Sequence, residues 1–445
     1  MRKVLIANRG EIARRIIRTC KLMGVATVAV YSDADKDLPY VREADEAVHI
    51  GPPPVPHSYL NVEAIIAAAK STNADAIHPG YGLLSENEAF ARRVGEEGIV
   101  FIGPAPKVIG QMGDKLTARH IMQAAGVPVV PGCEAPVETP DEAAEIAATI
   151  GYPVMLKASA GGGGIGMQIC RDEQEVRQAY QSAKGRAKAY FGNDAMYVEK
   201  YVERPHHIEV QIAADEHGEV IHLLERECSI QRRHQKVLEE SPSPFLDQAT
   251  REELCQAAVL AAKAVGYTGV GTVEFIVDEN KNFYFLEMNT RLQVEHPVTE
   301  EMTGLDLVAM QLEIAKGNPL GIAQEDVKAL RHAIELRVYA EDPSTFLPSP
   351  GTIALYQPPV QEFVRIDDGV EAGTQVTPFY DPMIAKVIVS GATREEAVQR
   401  AKEAIEKFLI TGIKTNIPFL QEVLADDRFR AGEYTTWFVQ ERVSK

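Results

Sequence analysis

The sequence predicts a multidomain protein that mixes α/β and α+β architecture. An N-terminal doubly wound parallel-sheet domain, a middle domain with a mobile glycine-rich lid and a small β-rich C-terminal domain are expected. Three observations lead to this prediction. The chain has 445 residues, which suggests about three domains. Strand-like and helix-like segments alternate over residues 1–103, as in a parallel sheet wrapped by helices. After about residue 330 the pattern is mainly strand-like, with Pro and Gly between the segments.

The first domain is predicted from its hydrophobic periodicity. Short apolar runs at 3–7, 25–31, 74–80 and 99–103 are typical of buried parallel strands. Segments with a helical spacing of apolar residues lie between them, at 11–24, 59–70 and 85–98. We place the end of this domain at residue 113, so that it covers 1–113.

The middle and C-terminal domains are assigned to residues 114–330 and 331–445, with the lid at about 130–202. Helical patterns in the middle domain occur at 114–125, 141–151, 248–265 and 304–316, and extended segments at 195–228 and 271–288. In the C-terminal domain we predict strands at 332–341, 352–357, 363–370 and 385–391, followed by a helix at 394–409.

Composition excludes several functional classes. With 46 Lys+Arg against 64 Asp+Glu, the formal net charge is −18, which argues against nucleic acid or an anionic membrane as the main partner. The five cysteines contain no CxxC pair, so reduced cytosolic thiols are the simplest interpretation. The segment MRKVLIANRGE is too short for a signal-peptide core, and no run approaches 18 apolar residues. We therefore expect a cytoplasmic protein without a membrane partner.

Residues 285–298, FLEMNTRLQVEHPV, place polar side chains on odd positions: Glu287, Asn289, Arg291, Gln293 and Glu295. In an extended chain these side chains would form one line, although a solvated strand face has the same pattern. The preceding segment GTVEFIV, with the turn DENKN, predicts a hairpin that sets Glu274 opposite Glu287. Two facing carboxylates are destabilising, and a divalent cation such as Mg²⁺ would relieve the repulsion. Asn289 would supply a further oxygen ligand.

The stretch ASAGGGGIGMQIC contains four consecutive glycines between two predicted strands. It has GxGxxG spacing, but it continues into a strand rather than a helix, so it does not fit a dinucleotide fingerprint. A glycine-rich hairpin tip exposes backbone N–H groups and lets the chain approach a phosphate closely. A surface turn remains the alternative. Lys157, just before the loop, would add a cation near the phosphates, or is a solvated strand lysine.

Two further segments carry polar groups suited to a site. ERECSIQRRHQKVLEE concentrates positive charge at Arg232, Arg233, His234 and Lys236, which indicates either an anion pocket or a solvated basic turn. In HAIELRVYAE, Arg337 shares a strand face with Glu335 and Tyr339; a surface or ion-paired arginine is the alternative.

Together these segments resemble the biotin carboxylase family of ATP-grasp enzymes. The resemblance runs in order from residue 6 to about 387 through IANRGEIARRIIR, HPGYGLLSEN, KASAGGGGIGM, ECSIQRRHQKVLEE, GTVEF, EMNTRLQVEHPVTE, ELRVYAEDP and PFYDPMIAKV. The pair EMNTRLQVEHPVTE and QRRHQK is highly specific. The resemblance implies an ADP-forming ligase that uses MgATP to phosphorylate bicarbonate. The resulting carboxyphosphate breaks down to CO₂ and phosphate, the phosphate deprotonates biotin, and biotin attacks CO₂.

The resemblance also implies roles for individual residues. Glu295 matches the base that deprotonates bicarbonate, and Arg337 matches the arginine that stabilises the enolate-like oxygen of biotin. The bicarbonate and carboxyphosphate contacts are matched by Lys236, Arg291, Gln293, the Val294 backbone and Glu295. Tyr81 lies in the segment expected near biotin. The metal ligands, for Mg²⁺ or Mn²⁺, are matched by Glu274, Glu287 and Asn289, in agreement with the hairpin argument above.

The resemblance also implies which residues contact ATP. The matching positions are Lys115, Lys157, Gly163, Gly164, Glu199, Lys200, Tyr201, Val202, His207, Gln231, His234, Glu274 and Glu287. Taken singly, Lys157 is more typical of a solvated strand lysine, and His207 of a structural histidine, than of a ligand contact. Three positions depart from the family pattern, namely Ala160, Ile165 and His206. The first two bear on the flexibility and electrostatics of the lid and do not touch the residues assigned to chemistry.

The sequence contains no Ala-Met-Lys-Met-like biotinylation segment. The biotinyl lysine is therefore expected on another chain, or the substrate is free biotin. The resemblance implies a carrier-bound substrate, attached to a biotin carboxyl carrier protein rather than to this chain. A separate subunit of acetyl-CoA carboxylase, in fatty acid biosynthesis, is the best fit, with carboxyltransferase subunits as further partners and a homodimer expected. A subunit of another acyl-CoA or pyruvate carboxylase is an alternative. A different ATP-grasp ligase and a non-catalytic ATP-binding module are the remaining hypotheses.

Overall fold

The alternating segments of the first hundred residues form a parallel sheet. The structure is a computed structural model that describes residues 1–158, 167–191, 194–232 and 235–443. The sheet has the order β3-β2-β1-β4-β5, and its strands are β1 (Lys3–Ile6), β2 (Ala26–Ser32), β3 (Glu46–Gly51), β4 (Ala76–His78) and β5 (Val100–Phe101). The helices of this part are α1 (Gly10–Leu22), α2 (Pro39–Glu43), α3 (Val62–Ser71), α4 (Glu88–Glu96), α5 (Pro106–Gly113) and α6 (Lys115–Ala124).

Helices cover both faces of this sheet, as predicted for a doubly wound fold. On one face Val4 and Ile6 pack in a core with Ile12 and Ile16 of α1. On the other face the core contains Leu5 and Ile77 of the sheet with Ile65 of α3 and Phe90 of α4. Because adjacent strand residues point to opposite sides, one short apolar run supplies both cores.

The chain divides into two compact units. The first contains residues 1–127, 206–275 and 287–445, and the second contains residues 128–205 and 276–286. The elements of the second unit's 128–205 segment are α7 (Pro140–Ile150), β6 (Val154–Ala158), β7 (Met167–Cys170), α8 (Glu173–Phe191) and β8 (Met196–Lys200). Its three strands form an antiparallel sheet in the order β7-β6-β8. Gly163 and Gly164 lie outside the described residues, between β6 and β7.

A second, eight-stranded sheet has the order β13-β12-β9-β10-β11-β14-β19-β17. Its strands are β9 (His206–Ala214), β10 (Val220–Arg232), β11 (Gln235–Ser241), β12 (Gly269–Val277), β13 (Phe283–Asn289), β14 (His332–Tyr339), β17 (Val364–Asp368) and β19 (Met383–Gly391). The short strands are β15 (Gly351–Thr352), β16 (Leu355–Gln357), β18 (Gln375–Val376) and β20 (Leu409–Thr411). The helices that follow α8 are α9 (Gln248–Ala264), α10 (His296–Thr303), α11 (Leu307–Ala315), α12 (Arg394–Lys407), α13 (Ile417–Ala425), α14 (Asp427–Ala431) and α15 (Phe438–Val443). None of the helices in the described parts of the chain is long and apolar enough to cross a membrane.

Strand β14 has an apolar side and a polar side. Ile334, Leu336 and Val338 belong to a core that also contains residues of α12 and α13. The intervening residues, among them Glu335 and Arg337, point to the opposite side, which the polar groups of the site occupy. The alternating residues of HAIELRVY therefore face two buried environments, the apolar core on one side and the polar groups of the site on the other, rather than a core and solvent.

Glu240 ties β11 to the C-terminal part of the chain. Its oxygens accept hydrogen bonds from His332 Nε2 at 2.6 Å and from Arg394 Nε at 2.7 Å and Nη2 at 2.9 Å. Burial by itself would raise the pKa of this carboxyl, but the bonds from His332 and Arg394 lower its pKa to about 2. Since the unfolded value is 4.5, ionised Glu240 stabilises the fold above about pH 4.5 and this contribution disappears as the pH falls towards 2.

We expect Glu240→Gln to flatten the dependence of unfolding free energy on pH between about 4.5 and 2. A pKa shift of this size corresponds to about 3 kcal/mol of unfolding free energy, which is present at neutral pH and lost on acidification. Urea unfolding at a series of pH values measures it, with the exposed Glu253→Gln as control. An unchanged slope in the Glu240 variant would contradict the assignment.

Candidate active site

The hairpin of β12 and β13 carries the predicted metal ligands. Glu274 is buried, and its Oε1 accepts a hydrogen bond from Asn289 Nδ2 at 3.0 Å, so these two side chains share one side of the sheet. Glu287 lies two residues before Asn289 in the same strand and points to that side as well. Although the Glu287 side chain is solvent-accessible, partial desolvation and the negative charge of Glu274 raise its pKa.

The predicted extended line of polar residues ends at Asn289. Strand β13 stops there and α10 begins at His296, so residues 290–295 form a loop. The prediction that Arg291, Gln293 and Glu295 continue a strand is wrong, because the chain turns into a helix at His296–Pro297, where proline is favoured in the first turn. The side chains nevertheless converge: Gln293 Nε2 donates to Glu274 Oε1 at 2.7 Å, and Arg291 Nη2 donates to Asn289 Oδ1 at 2.6 Å.

Lys236 is the centre of the site. Its Nζ donates to three buried carboxylates, those of Glu209 (2.6 Å), Glu274 (3.0 Å) and Glu295 (2.6 Å). Burial opposes the charge, but these three carboxylates together raise the pKa of Lys236 well above its usual value. The basic segment is therefore no solvated turn at this position, because Lys236 lies in strand β11 and neutralises an acidic cluster.

Glu295 is held between two cations. Its Oε1 accepts from Lys236, and its Oε2 accepts from Arg337 Nη2 at 2.9 Å. Burial would raise the pKa of Glu295, but Lys236 and Arg337 outweigh that effect and hold its pKa well below the usual value. Glu295 is consequently ionised throughout the neutral range, and each of its oxygens faces a group assigned to a different substrate.

Arg226 stabilises the cluster around Lys236, although no sequence pattern singles it out. It is fully buried, and its guanidinium donates to Glu209 Oε1 and Gln293 Oε1, both at 2.6 Å. The only signal for Glu209 was the alternation HHIEVQIAA, which places it on one strand side with Gln211. In the sequence, a charged residue that the sheet buries has the same pattern as a solvent-exposed one, because the elements that bury it are distant in the chain.

A buried chain of contacts connects the loop near Tyr81 with the Val294 backbone. The Tyr81 hydroxyl donates to Glu11 Oε1. Lys386, which is fully buried, lies 3.2 Å from the same Glu11 oxygen and donates to the Val294 carbonyl at 2.8 Å. Lys386 was also missed by the sequence reasoning. Tyr81 is held in turn by Asn8, whose Nδ2 donates to the Tyr81 carbonyl at 2.8 Å.

The residues assigned to ATP fall into three groups. His207, Gln231 and Lys115 belong to the first unit. His207 Nε2 lies 2.8 Å from Glu274 Oε2, and its Nδ1 lies 2.7 Å from Gln231 Nε2. Lys115 begins α6, and its positive charge partly offsets the rise in the pKa of Glu287 that burial and Glu274 cause.

The second group, which lies in the second unit, contains Lys157, Glu199, Lys200, Tyr201 and Val202. There Lys157 forms an ion pair with Glu199 of the neighbouring strand. The third group, Gly163, Gly164 and His234, falls outside the described residues.

The donor set around Glu274 fits a hard divalent cation. Two carboxylates and an amide lie on one side of the hairpin, and oxygen is the donor that Mg²⁺ prefers. Burial and the neighbouring negative charge of Glu274 both raise the pKa of Glu287, as expected where two carboxylates lie close together. The ligand atoms of His207, Glu209 and Glu274 also lie within 4.8 Å of one another, but Arg226 and Lys236 already neutralise Glu209. The position beside Glu287 is therefore the better cation site.

Sequence models of three families match consecutive parts of the chain. Residues 1–109 match the biotin carboxylase N-terminal domain, residues 114–323 the ATP-binding domain of the carbamoyl-phosphate synthase L chain, and residues 335–441 the biotin carboxylase C-terminal domain. Biotin carboxylase 2 of Bacillus subtilis is 58% identical over 441 residues, which cover 99% of either chain.

Solved structures agree with these matches. A biotin carboxylase complex from Campylobacter jejuni has a TM-score of 0.93 at 47% identity, covering 99% of this chain and 98% of that one. The biotin carboxylase domain dimer of 2-oxoglutarate carboxylase from Hydrogenobacter thermophilus, solved with MgADP and bicarbonate, has a TM-score of 0.90 at 49% identity and covers 99% and 97%. With this sequence identity, this fold and this arrangement of carboxylates around Lys236, the chain belongs to the biotin carboxylase family.

Proposed function

We propose that this chain carboxylates biotin on a separate carrier protein, using ATP and bicarbonate. The observation that carries the proposal is the position of Glu295, whose two oxygens contact Lys236 and Arg337. One side of this carboxylate faces the groups assigned to bicarbonate, and the other faces the group assigned to biotin. A single ionised group between two cations suits a reaction in which both substrates must meet.

Bicarbonate is a weak nucleophile until it loses its proton. Glu295 accepts that proton, while Lys236 and Arg291 supply the positive charge that holds the anion. Gln293 and the Val294 backbone N–H complete the bicarbonate site, and the Val294 carbonyl is fixed by Lys386. Lys236 neutralises Glu295, so bicarbonate must take over part of this contact before Glu295 becomes an effective base.

Arg337 acts on biotin. Carboxyphosphate releases CO₂ and phosphate, the phosphate takes the N1′ proton of biotin, and negative charge develops on the ureido oxygen. Arg337 stabilises that oxygen as an oxyanion donor. Tyr81 lies beside the biotin position, held by Asn8 and Glu11. Both groups are anchored by buried contacts, which limits the reorganisation required during the reaction.

Glu274, Glu287 and Asn289 would hold Mg²⁺ or Mn²⁺. When bound, the metal neutralises charge that develops on the ATP phosphates. For ATP itself we propose phosphate contacts from Lys115, Lys157, His234, Gly163 and Gly164. The nucleoside would contact the 199–202 backbone, His207 and Gln231.

We further propose the assembly and the cellular context of the reaction. The partners are a biotin carboxyl carrier protein and carboxyltransferase subunits, in a cytoplasmic acetyl-CoA carboxylase, and this chain forms a homodimer. The domains are 1–113, 114–330 and 331–445. Two of the relatives named above support this assembly, since biotin carboxylase 2 of Bacillus subtilis has a similar length and the Hydrogenobacter thermophilus domain is a dimer.

The function is tested by ADP release with ATP, Mg²⁺, bicarbonate and free biotin. We expect bicarbonate-dependent release that increases when biotin is added, together with formation of carboxybiotin. ADP release that requires an amino acid instead of biotin would indicate another ATP-grasp ligase. ATP binding without turnover would indicate a non-catalytic module.

We expect Glu287→Gln to impair metal-dependent turnover far more than folding. The change removes a proposed ligand, which we expect to weaken metal affinity by at least about 10–100-fold, the range for loss of a group that only supports a ligand, but it also removes the repulsion from Glu274. Titration of ADP release with Mg²⁺ measures the first effect and thermal unfolding without metal measures the second. The exposed Glu279→Gln, in the turn of the same hairpin, is the control. A large loss of thermal stability in the metal-free Glu287 variant would contradict this prediction.

A further inference from the structure

Two buried glutamates face each other on the polar side of the sheet, next to Arg337. Glu239 of β11 is paired directly with Glu335 of β14, and both side chains are 0% exposed. Directly opposed residues of an antiparallel pair have Cβ atoms about 4.5–5.5 Å apart. The two carboxyl groups are therefore neighbours in a region that water does not reach.

The pair lacks the cations that two buried carboxylates require. No donor among the described residues reaches either oxygen of Glu335. Glu239 contacts the Arg337 guanidinium, which also serves Glu295. Lys386 of β19 stands directly opposite Arg337, but it is engaged with Glu11 and the Val294 carbonyl.

The charge of Lys236 opposes the rise in the pKa of Glu239, but its Nζ is already engaged with three other carboxylates. At the start of α10, Glu295 is ionised and His296 is kept neutral, because burial lowers its pKa well below the usual value. Glu300 of the same helix is paired with Arg15 at 2.6 Å and Arg365 at 2.8 Å. Two like charges this close in a buried site cannot both be ionised.

Building on the proposed function, we propose that Glu239 and Glu335 hold one proton between them and that the pair positions Arg337 for the biotin half of the reaction. In this arrangement Glu335 carries the proton and donates a hydrogen bond to Glu239, and Glu239 keeps the negative charge that faces Arg337. Burial raises the pKa of Glu239 to about 7 and that of Glu335 well above its usual range, which agrees with one proton retained near neutral pH.

During turnover the pair keeps Arg337 in position. When Glu295 accepts the proton of bicarbonate, it loses the charge that attracts Arg337 from one side. Glu239 then remains as the carboxylate that holds the guanidinium in place. Arg337 can consequently meet biotin without moving after the first step. Glu239 and Glu335 touch no reacting atom, so both act as positioning residues.

Infrared difference spectroscopy tests the shared proton directly. The full-length protein is compared with Glu335→Gln at pH 7.5, in H₂O and in D₂O. We expect a C=O stretching band of a buried protonated carboxyl in the unmodified protein and its loss in the variant. Glu335→Gln should fold normally, since an amide replaces a neutral acid of the same shape. Absence of the band, or failure of this variant to fold, would overturn the proposal.

Kinetics test the positioning role. For each protein, the rate of biotin carboxylation is divided by the rate of bicarbonate-dependent ADP release measured without biotin. Glu239→Gln removes the charge behind Arg337, and we expect this ratio to fall about tenfold, the scale of one hydrogen bond to a charged group. In the unmodified protein the ratio should rise as the pH increases through about 7, because Glu239 gains its charge there, and this rise should be absent from Glu239→Gln.

Glu335→Gln should keep the ratio within about threefold, since the pair needs only one charge. An equal fall in both variants, or a pH profile unchanged in Glu239→Gln, would count against the proposal. If the unmodified protein shows no biotin-dependent turnover at all, the proposed function fails, while the infrared comparison still decides whether the proton is shared.

Discussion

Bicarbonate-dependent ADP release should fall by about 10²–10⁴-fold in Glu295→Gln, the range associated with loss of a general base. Glutamine preserves the shape of the side chain, but it has a single acceptor oxygen and therefore keeps a hydrogen bond from only one of Lys236 and Arg337. It also does not take a proton. The substitution also leaves Lys236 with two carboxylates instead of three. Initial rates at saturating ATP and varied bicarbonate separate loss of the base from loss of anion binding. Loss of the base lowers kcat, whereas loss of anion binding raises KM.

The matched control is Glu300→Gln, five residues further along the same segment. Glu300 is buried, is paired with Arg15 and Arg365, and has a lowered pKa that these arginines maintain against the effect of burial. We expect this variant to lose stability but to keep the kcat of ADP release. The assignment of Glu295 would be refuted by a variant that retains more than about a tenth of the original kcat.

Arg337→Ala should reduce biotin carboxylation by about 10²–10³-fold, as expected for loss of an oxyanion donor. Bicarbonate-dependent ADP release should be affected much less, because Lys236 and Arg291 supply the anion contacts of the first step. The change leaves Glu239 and Glu295 without a shared cation in a buried site, so it also destabilises the fold. Both activities must therefore be compared at a temperature where circular dichroism shows the variant to be folded.

Arg394→Ala serves as the control for this substitution. Arg394 is also mostly buried and pairs with a glutamate of β11, Glu240, on the side of the sheet away from Glu239. It should lower stability without changing the ratio of carboxybiotin formed to ADP released. A parallel loss of both activities in Arg337→Ala, after correction for folding, would show that Arg337 serves the first step as well.

The sequence alone predicted more of the fold than of the charge balance in the site. Short apolar runs alternating with amphipathic helices are sufficient to predict the parallel N-terminal sheet, because both strand faces are buried and the period is unambiguous. The hairpin of β12 and β13 was also predicted from β-branched and aromatic residues around DENKN. By contrast, the alternation at 287–295 was read as one strand, although the last six residues form a loop. The odd-numbered polar residues gave no sign that the strand would stop.

What the sequence determined by itself is the set of residues proposed as reactive groups: Glu274, Glu287, Lys236, Arg291, Glu295 and Arg337 all lie in segments whose composition or resemblance singled them out. Only the tertiary structure decided their state. Lys236 is surrounded by three carboxylates, Glu295 lies between two cations, and Glu239 faces Glu335, because strands distant in the chain are brought side by side. Whether a buried group is charged depends on its neighbours in space, and those neighbours come from β9, β11, β12 and β14, which no local sequence pattern connects.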